Sequence, residues 1–120
     1  MDFNSVIDDF VETHTNMIEN LKKELATPEN KKLFNTKKAE VIKILDSYKT
    51  KGNVLLRQLE KKGKTFANEY VKKLDALYKE KDKELSNLKE IAPEKIEDLK
   101  ERLKITFEEI KLKMRELANK

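Results

Sequence analysis

The strongest structural signal in this chain lies in its last quarter, residues 93–118, which read PEKIEDLKERLKITFEEIKLKMRELA. Pro93 and Glu94 suit a first helical turn, because proline fits the first position and a carboxylate complements the helix dipole. This segment predicts an amphipathic helix, since its apolar side chains recur at the steps of three and four residues that form one helical face. Those side chains are Ile96, Leu99, Leu103, Phe107, Ile110, Met114 and Leu117.

A similar apolar stripe covers the start of the chain and predicts a helix over residues 2–26. The stripe runs from Phe3 to Leu25 and includes the single histidine, His14. The helix should stop near Ala26, because Thr27-Pro28-Glu29 is a helix-start signal with a capping residue followed by proline. A tight corner between the first two helices is therefore predicted.

The sequence leaves open which of the two glycines, Gly52 or Gly63, ends a helix, because either could adopt a left-handed C-terminal conformation. One break predicts a single all-α domain, 1–120, folded as an antiparallel four-helix bundle that buries its stripes without a partner. With no break, a central helix of about 95 Å would carry two shorter helices folded back along it, as a dimer. The predicted boundaries are 28–51 and 53–91, or 28–62 and 64–91.

Charge is distributed unevenly along the chain. Residues 1–26 hold six acidic and two basic side chains, and residues 27–64 hold four acidic and eleven basic ones. The net charges of −4 and +7 predict that the acidic first helix packs against the basic second helix. The basic stretch 31–64 includes the patch Lys31, Lys32, Lys37 and Lys38 and holds a single arginine, Arg57. Base recognition relies on Arg, Asn and Gln, so a dedicated nucleic-acid function is disfavoured.

The residue types present argue against catalysis and against a cofactor. The chain has no cysteine, and its two glycines are too far apart to form a phosphate-binding loop. Val11 stands three residues before His14, where a di-metal bundle requires glutamate. We therefore predict a non-enzymatic protein with no catalytic, cofactor-binding or metal residues. His14 is expected to be a partly buried histidine that is hydrogen-bonded across the bundle.

The helical wheel of residues 93–118 carries the best functional signal. Basic side chains flank its apolar face on both sides and acidic side chains oppose it, which suits a helix lying in a lipid surface. The distribution resembles the wheel of exchangeable apolipoprotein helices, over this one helix, and that resemblance implies lipid binding. Bundle helices also flank their seams with lysine, so a structural origin is the competing interpretation. The flanking bases are Lys95, Lys100, Arg102, Lys104, Lys111 and Lys113.

Two hypotheses about function follow. The first is a lipid- or apolar-ligand-binding bundle acting through the apolar stripes. The second is a protein interaction or self-assembly module of coiled-coil type, because Ile105 and Leu112 lie seven residues apart on the polar side of the last helix and could form a second contact face, for instance in a homodimer. The stripe residues predicted to meet lipid or ligand are Phe66, Tyr70, Leu103, Phe107, Ile110 and Met114.

The third predicted helix departs from this pattern, because Lys81 and Glu84 fall within or beside its apolar stripe. The longest purely apolar run is Val54-Leu55-Leu56, so no transmembrane segment is predicted. The chain is expected to be soluble, and a cytoplasmic location and secretion after loss of a leader both remain open.

Overall fold

The computed structural model describes residues 2–29 and 37–119, and those ranges contain four long α-helices joined by short connections. Each helix packs against the next along the chain, and the last packs back against the first. The predicted antiparallel four-helix bundle is confirmed. The helices are α1 (Phe3–Leu25), α2 (Lys38–Lys62), α3 (Ala67–Ser86) and α4 (Pro93–Ala118), with a 3-10 turn at Lys64–Phe66 between α2 and α3.

The break between α2 and α3 occurs at Gly63 and not at Gly52. Gly63 has φ 98° and ψ 162°, a conformation that a residue with a Cβ rarely adopts, and its N–H donates to the Leu59 carbonyl at 2.8 Å. Gly52 lies inside α2 and is buried. The alternative of one central helix is wrong, because the chain turns at Gly63 and its longest dimension is only 49 Å.

The helix ends follow from local hydrogen bonds. Asp2 caps α1 by accepting a hydrogen bond from the Ser5 N–H at 2.8 Å. The Thr27 hydroxyl donates to the Glu24 carbonyl at 3.0 Å, so it satisfies the end of α1. The predicted cap by Thr27 on the next helix involves residue 30, which lies outside the described residues. Pro28 and Glu29 are helical, as the start signal predicted, residues 30–36 lie outside the described residues, and α2 as described begins at Lys38.

The connection from α3 to α4 is longer than predicted. The α-helix ends at Ser86, five residues before the expected end at Ile91. Beyond it the N–H groups of Leu88, Lys89 and Ile91 each donate to the carbonyl three residues earlier, which winds the chain into turns. α4 then begins at Pro93 as predicted, with proline at its first position.

The apolar stripes of all four helices form one core. α1 packs against α2, as predicted from their opposite charges, and Phe10 contacts Tyr48 with ring centroids 5.6 Å apart. Phe10 also lies directly over Gly52, where a side chain would overlap the ring. The contact is therefore made by apolar groups at its centre. The charged groups of α1 take part in a different seam, described next.

Candidate functional site

The contact between α1 and α4 is the smallest of the four helix–helix contacts in the bundle. We call this contact the α1–α4 seam, and along it runs an open groove of about 410 Å³. Its central walls are mostly uncharged, with Met17 half-buried and Ile105 49% exposed. This seam is where the bundle closes on itself, because no loop joins α1 directly to α4. The groove along the seam is lined by Thr13, Asn16, Met17, Asn20, Arg102, Ile105 and Thr106.

Ion pairs bridge the two ends of the seam. At one end Lys113 Nζ lies 3.1 Å from Asp9 Oδ2, and at the other Lys95 Nζ lies 3.3 Å from Glu24 Oε2. Arg102 also approaches Glu24, with 3.6 Å between Nη1 and Oε1. All five side chains are about a third exposed or more, so each pair stabilises the closed seam by roughly 0–1 kcal/mol.

These pairs account for much of the charge pattern that the helical wheel revealed. The bases on one flank of the α4 stripe contact acids of α1, and on the other flank Lys100 lies 3.8 Å from Asp82 of α3. Basic flanks thus match the acidic edges of both neighbouring helices. In the closed bundle the pattern has a structural role, and an apolipoprotein-like role would require α4 to leave its neighbours.

His14 lies at the centre of the seam and joins the two helices. Only 2% of its surface is exposed, and its ring contacts Phe10 and Tyr48 with centroid distances of 4.3 and 5.0 Å. Nδ1 lies 2.7 Å from the Phe10 carbonyl oxygen, and Nε2 lies 3.2 Å from Thr106 Oγ1 on α4. The prediction of a histidine hydrogen-bonded across the bundle is confirmed, with burial more complete than expected.

The protons in this network follow from the atoms available. A carbonyl only accepts, so Nδ1 must carry a proton, and neutral imidazole then has an accepting Nε2. The Thr106 hydroxyl has one proton and two neighbours, His14 Nε2 and the Leu103 carbonyl at 2.9 Å. With neutral His14 it donates to Nε2. With protonated His14, Nε2 donates to Oγ1 and the hydroxyl donates to Leu103.

The environment favours the neutral form of His14. Burial lowers its pKa below the usual 6.5, the hydrogen bond to the Phe10 carbonyl opposes that shift, and the Lys49 ammonium lowers the pKa further. At neutral pH the Thr106 hydroxyl therefore donates to His14 across the seam. The small opening beside the ring, about 20 Å³, is bordered by Asp9, Glu109 and Lys113.

The predicted lipid or ligand stripe is almost entirely inside the closed bundle. Phe107 stacks on Tyr78 with ring centroids 4.7 Å apart. Phe66 is the exception, because it lies in the 3-10 turn and is 40% exposed, with Lys62 Nζ 5.5 Å from its ring. The prediction that Phe66 continues the core stripe is wrong, since the break at Gly63 turns it outward. The buried members are Tyr70, Leu103, Phe107, Ile110 and Met114.

The two other predicted surfaces have separate locations. Ile105 and Leu112 are 49% and 58% exposed, and Ile105 also borders the α1–α4 seam. Of the basic patch, Lys31 and Lys32 lie outside the described residues. Lys37 and Lys38 are half-buried at the start of α2, where Lys37 pairs with Glu40 at 3.1 Å. The predicted sites therefore do not converge on one place.

Lys81 was predicted to lie within or beside the α3 stripe, with no function. The structure buries it, with 3% exposed, beside an open groove between α2 and α3. The available signal was a single lysine at a core position, and no sequence rule gives the shape of the space around it.

Comparisons of this chain with protein-family models, with curated proteins and with solved structures found no match. In residues 2–29 and 37–119, no three His, Cys, Asp or Glu side chains cluster closely enough to hold a metal ion. Among the helices described above, none has the length and apolarity needed to cross a bilayer.

Proposed function

We propose that this chain is a non-enzymatic binding protein whose bundle opens at the α1–α4 seam, so that its apolar stripes engage a lipid surface or an apolar ligand. The observation that carries the proposal is the small contact between the two amphipathic helices α1 and α4. Of the four contacts, this one brings the fewest residues of its two helices together, and a swing of α4 would separate α4 from α3 as well. Pro93 and the turns before it provide a hinge at which α4 could swing away.

The energy balance of opening favours a closed state in water. Each large apolar side chain of the α4 stripe contributes roughly 1.5–3 kcal/mol when it is buried. Several such side chains, among them Leu103, Phe107 and Ile110, would lose contacts on opening. The exposed ion pairs across the seam add little to the free-energy cost of opening. Lipid would replace the lost apolar contacts, so opening is coupled to binding.

Electrostatic attraction alone would not hold the protein on a membrane. The net charge is only +4, and the attraction of exposed lysines for anionic lipid is screened within a Debye length of about 8 Å at physiological salt. Stable attachment needs buried apolar area, and the core stripes are the large source of it.

The state of His14 supports the non-enzymatic part of the proposal. It is the only histidine in the sequence, and both of its ring nitrogens already have partners within the bundle. A catalytic base needs a nitrogen directed at substrate, which this arrangement does not offer.

A covalent lock across the seam tests the proposal. Asp9→Cys and Lys113→Cys, whose native side chains meet at 3.1 Å, would be joined by a short bismaleimide in a protein that has no other cysteine. Binding to phosphatidylcholine/phosphatidylglycerol vesicles would be measured by flotation at physiological salt. We expect the locked protein to bind at least about tenfold more weakly than the same variant with both thiols blocked separately.

A second staple controls for the chemistry of the crosslink. Asp75→Cys and Lys79→Cys lie one turn apart within α3, where the native pair is 3.0 Å apart, so this staple leaves the seam free to open. It should bind vesicles like its unlinked form. Equal vesicle binding by the locked and unlocked seam variants would show that opening is wrong. Absence of vesicle binding by the wild type would reject the membrane function altogether.

The second candidate function is self-assembly or partner binding through Ile105 and Leu112. Their half-exposed side chains, spaced by two helical turns, support it. If this face joins two copies, light scattering should give a dimer mass for the wild type and a monomer mass for Ile105→Ser/Leu112→Ser. A wild-type monomer at high concentration would exclude the homodimer.

A further inference from the structure

The groove between α2 and α3 has the features of a preformed binding site. It has a volume of about 340 Å³, within the range of small-molecule sites, and lies between the first half of α2 and the last turns of α3. Ile44 and Leu88 give it apolar walls, and Ser47 is also among its lining residues. This groove is separate from the α1–α4 seam and does not require the bundle to open.

The distinctive group in the groove is the ammonium of Lys81. Lys81 is 97% buried, yet a fully buried lysine is rare unless it is well paired. It occupies a core position in the α3 stripe, between Leu77 and Leu85, and it lines the groove. A buried lysine therefore lines the same groove as the apolar side chains of Ile44 and Leu88.

The ion pair between Lys81 and Glu84 has long hydrogen bonds, so another anion could bind the ammonium more closely. Its two described hydrogen bonds both go to Glu84, to Oε1 and Oε2, at 3.3 Å each. Charge-assisted hydrogen bonds between ammonium and carboxylate normally measure about 2.7–2.9 Å. Glu84 is three residues along the same helix, so its reach is restricted, and its side chain is 37% exposed. It could turn into water while another carboxylate took its place.

We infer that the α2–α3 groove binds one alkyl carboxylate, with the carboxylate on Lys81 and the hydrocarbon chain along Ile44 and Leu88. In this exchange the ammonium keeps one carboxylate partner, because Glu84 turns towards water as the ligand carboxylate arrives. The rim charges, Glu40 and Lys43, are of opposite sign and favour neither ligand charge. Inorganic phosphate would leave the apolar walls uncovered, and a neutral alcohol would not displace Glu84. The inference therefore goes beyond the proposed function and is independent of seam opening.

Calorimetry with laurate below its micelle concentration tests this site, with dodecanol as the neutral analogue. We expect one saturable laurate per chain and at least about tenfold weaker binding of dodecanol. Lys81→Met keeps the length and apolar volume of the stem, and should weaken laurate binding about tenfold or more. The matched control is Lys79→Met on the same helix, whose side chain is 74% exposed, and it should bind like the wild type.

Glu84→Gln gives the sharpest result, because it removes the competing carboxylate and leaves Lys81 in place. Laurate should bind this variant several-fold more tightly than the wild type, and it should raise the melting temperature of the variant by more than that of the wild type. If the Lys81–Glu84 pair were purely structural, neither difference would be seen. The inference is overturned if the wild type binds laurate and dodecanol equally or shows no saturable laurate binding. It is also overturned if Lys81→Met binds laurate as tightly as the wild type.

The seam lock separates this inference from the proposed function. Protein crosslinked between positions 9 and 113 should keep its laurate site even where it loses vesicle binding. Loss of laurate binding on locking would place the ligand in the opened core and contradict the groove site. Laurate binding that depends on Lys81, in a protein that does not bind vesicles, would leave the groove site standing and reject the membrane function.

Discussion

Replacing Gly52 with alanine sets two effects of similar size against each other. Gly52 lies inside α2, and a methyl group there would overlap Cζ of Phe10 and lie 2.7 Å from its Cε1. The ring cannot easily move aside, because Phe10 is 97% buried and packs between His14 and Tyr48. The substitution therefore tests whether the close α1–α2 approach requires glycine.

The two effects can be estimated separately. Alanine is better than glycine inside a helix by about 0.8–1.0 kcal/mol, which would stabilise the variant. Overpacking a well-filled core costs about 1–3 kcal/mol. We expect the steric cost to exceed the helix gain, so Gly52→Ala should lower the free energy of unfolding by about 1 kcal/mol. For a chain of this length that corresponds to a melting temperature lower by about 4 °C.

A double-mutant cycle isolates the contact with the ring. Urea unfolding followed by circular dichroism would compare the wild type, Gly52→Ala, Phe10→Leu and the double variant. Leucine removes the ring atoms that overlap the new methyl group, so in that background Gly52→Ala should stabilise by up to about 1 kcal/mol. The sign of the alanine effect should thus reverse between the two backgrounds.

Gly63→Ala is the matched control for this cycle. A Cβ there meets no atom within 4 Å, but φ is 98°, so the cost should come from the backbone, about 1–3 kcal/mol. That cost should be the same with Phe10 or leucine at position 10. If Gly52→Ala stabilises the wild type, or changes stability equally in both backgrounds, the steric argument at Gly52 is refuted.

Three further predictions concern the buried polar groups near the seam. Thr106→Val removes the partner of His14 Nε2 and should cost about 1–3 kcal/mol in urea unfolding, whereas exposed Thr13→Val should change stability by less than about 0.5 kcal/mol. The Tyr48 hydroxyl is buried and has no hydrogen-bond partner among the described residues, so Tyr48→Phe should leave stability unchanged or raise it by up to about 1 kcal/mol; a clear loss would reveal a partner. The pKa of His14 is lower folded than unfolded, so the unfolded chain binds more protons as pH falls through about 6.5, and the free energy of unfolding should decrease there. Comparing urea midpoints at about pH 8 and about pH 5 for the wild type and His14→Gln checks this, because the variant should lack the histidine part of that decrease.

Local patterns were enough to predict the helical elements of this protein. The apolar spacing of residues 93–118 and the proline at its start predict α4 with the bounds that the structure has. These features act through neighbouring residues, because helical periodicity and first-turn chemistry depend on side chains within a few positions. His14 was placed at the bundle interior by the same reasoning, since its neighbours in the stripe are apolar.

The arrangement of those elements depended on contacts between residues distant in sequence. Gly52 and Gly63 have similar lysine-rich surroundings, and only the tertiary structure separates them, since the Phe10 ring packs on Gly52 while Gly63 adopts a positive φ at the chain reversal. Opposite charge predicted the pairing of α1 with α2, yet Asp9 and Glu24 of α1 pair with bases of α4. The seam, the partner of His14 and the groove around Lys81 are likewise products of how helices meet. Periodicity predicts which face of a helix is apolar. The shapes of the packed side chains determine which neighbouring helix covers that face and which gaps remain between the two helices.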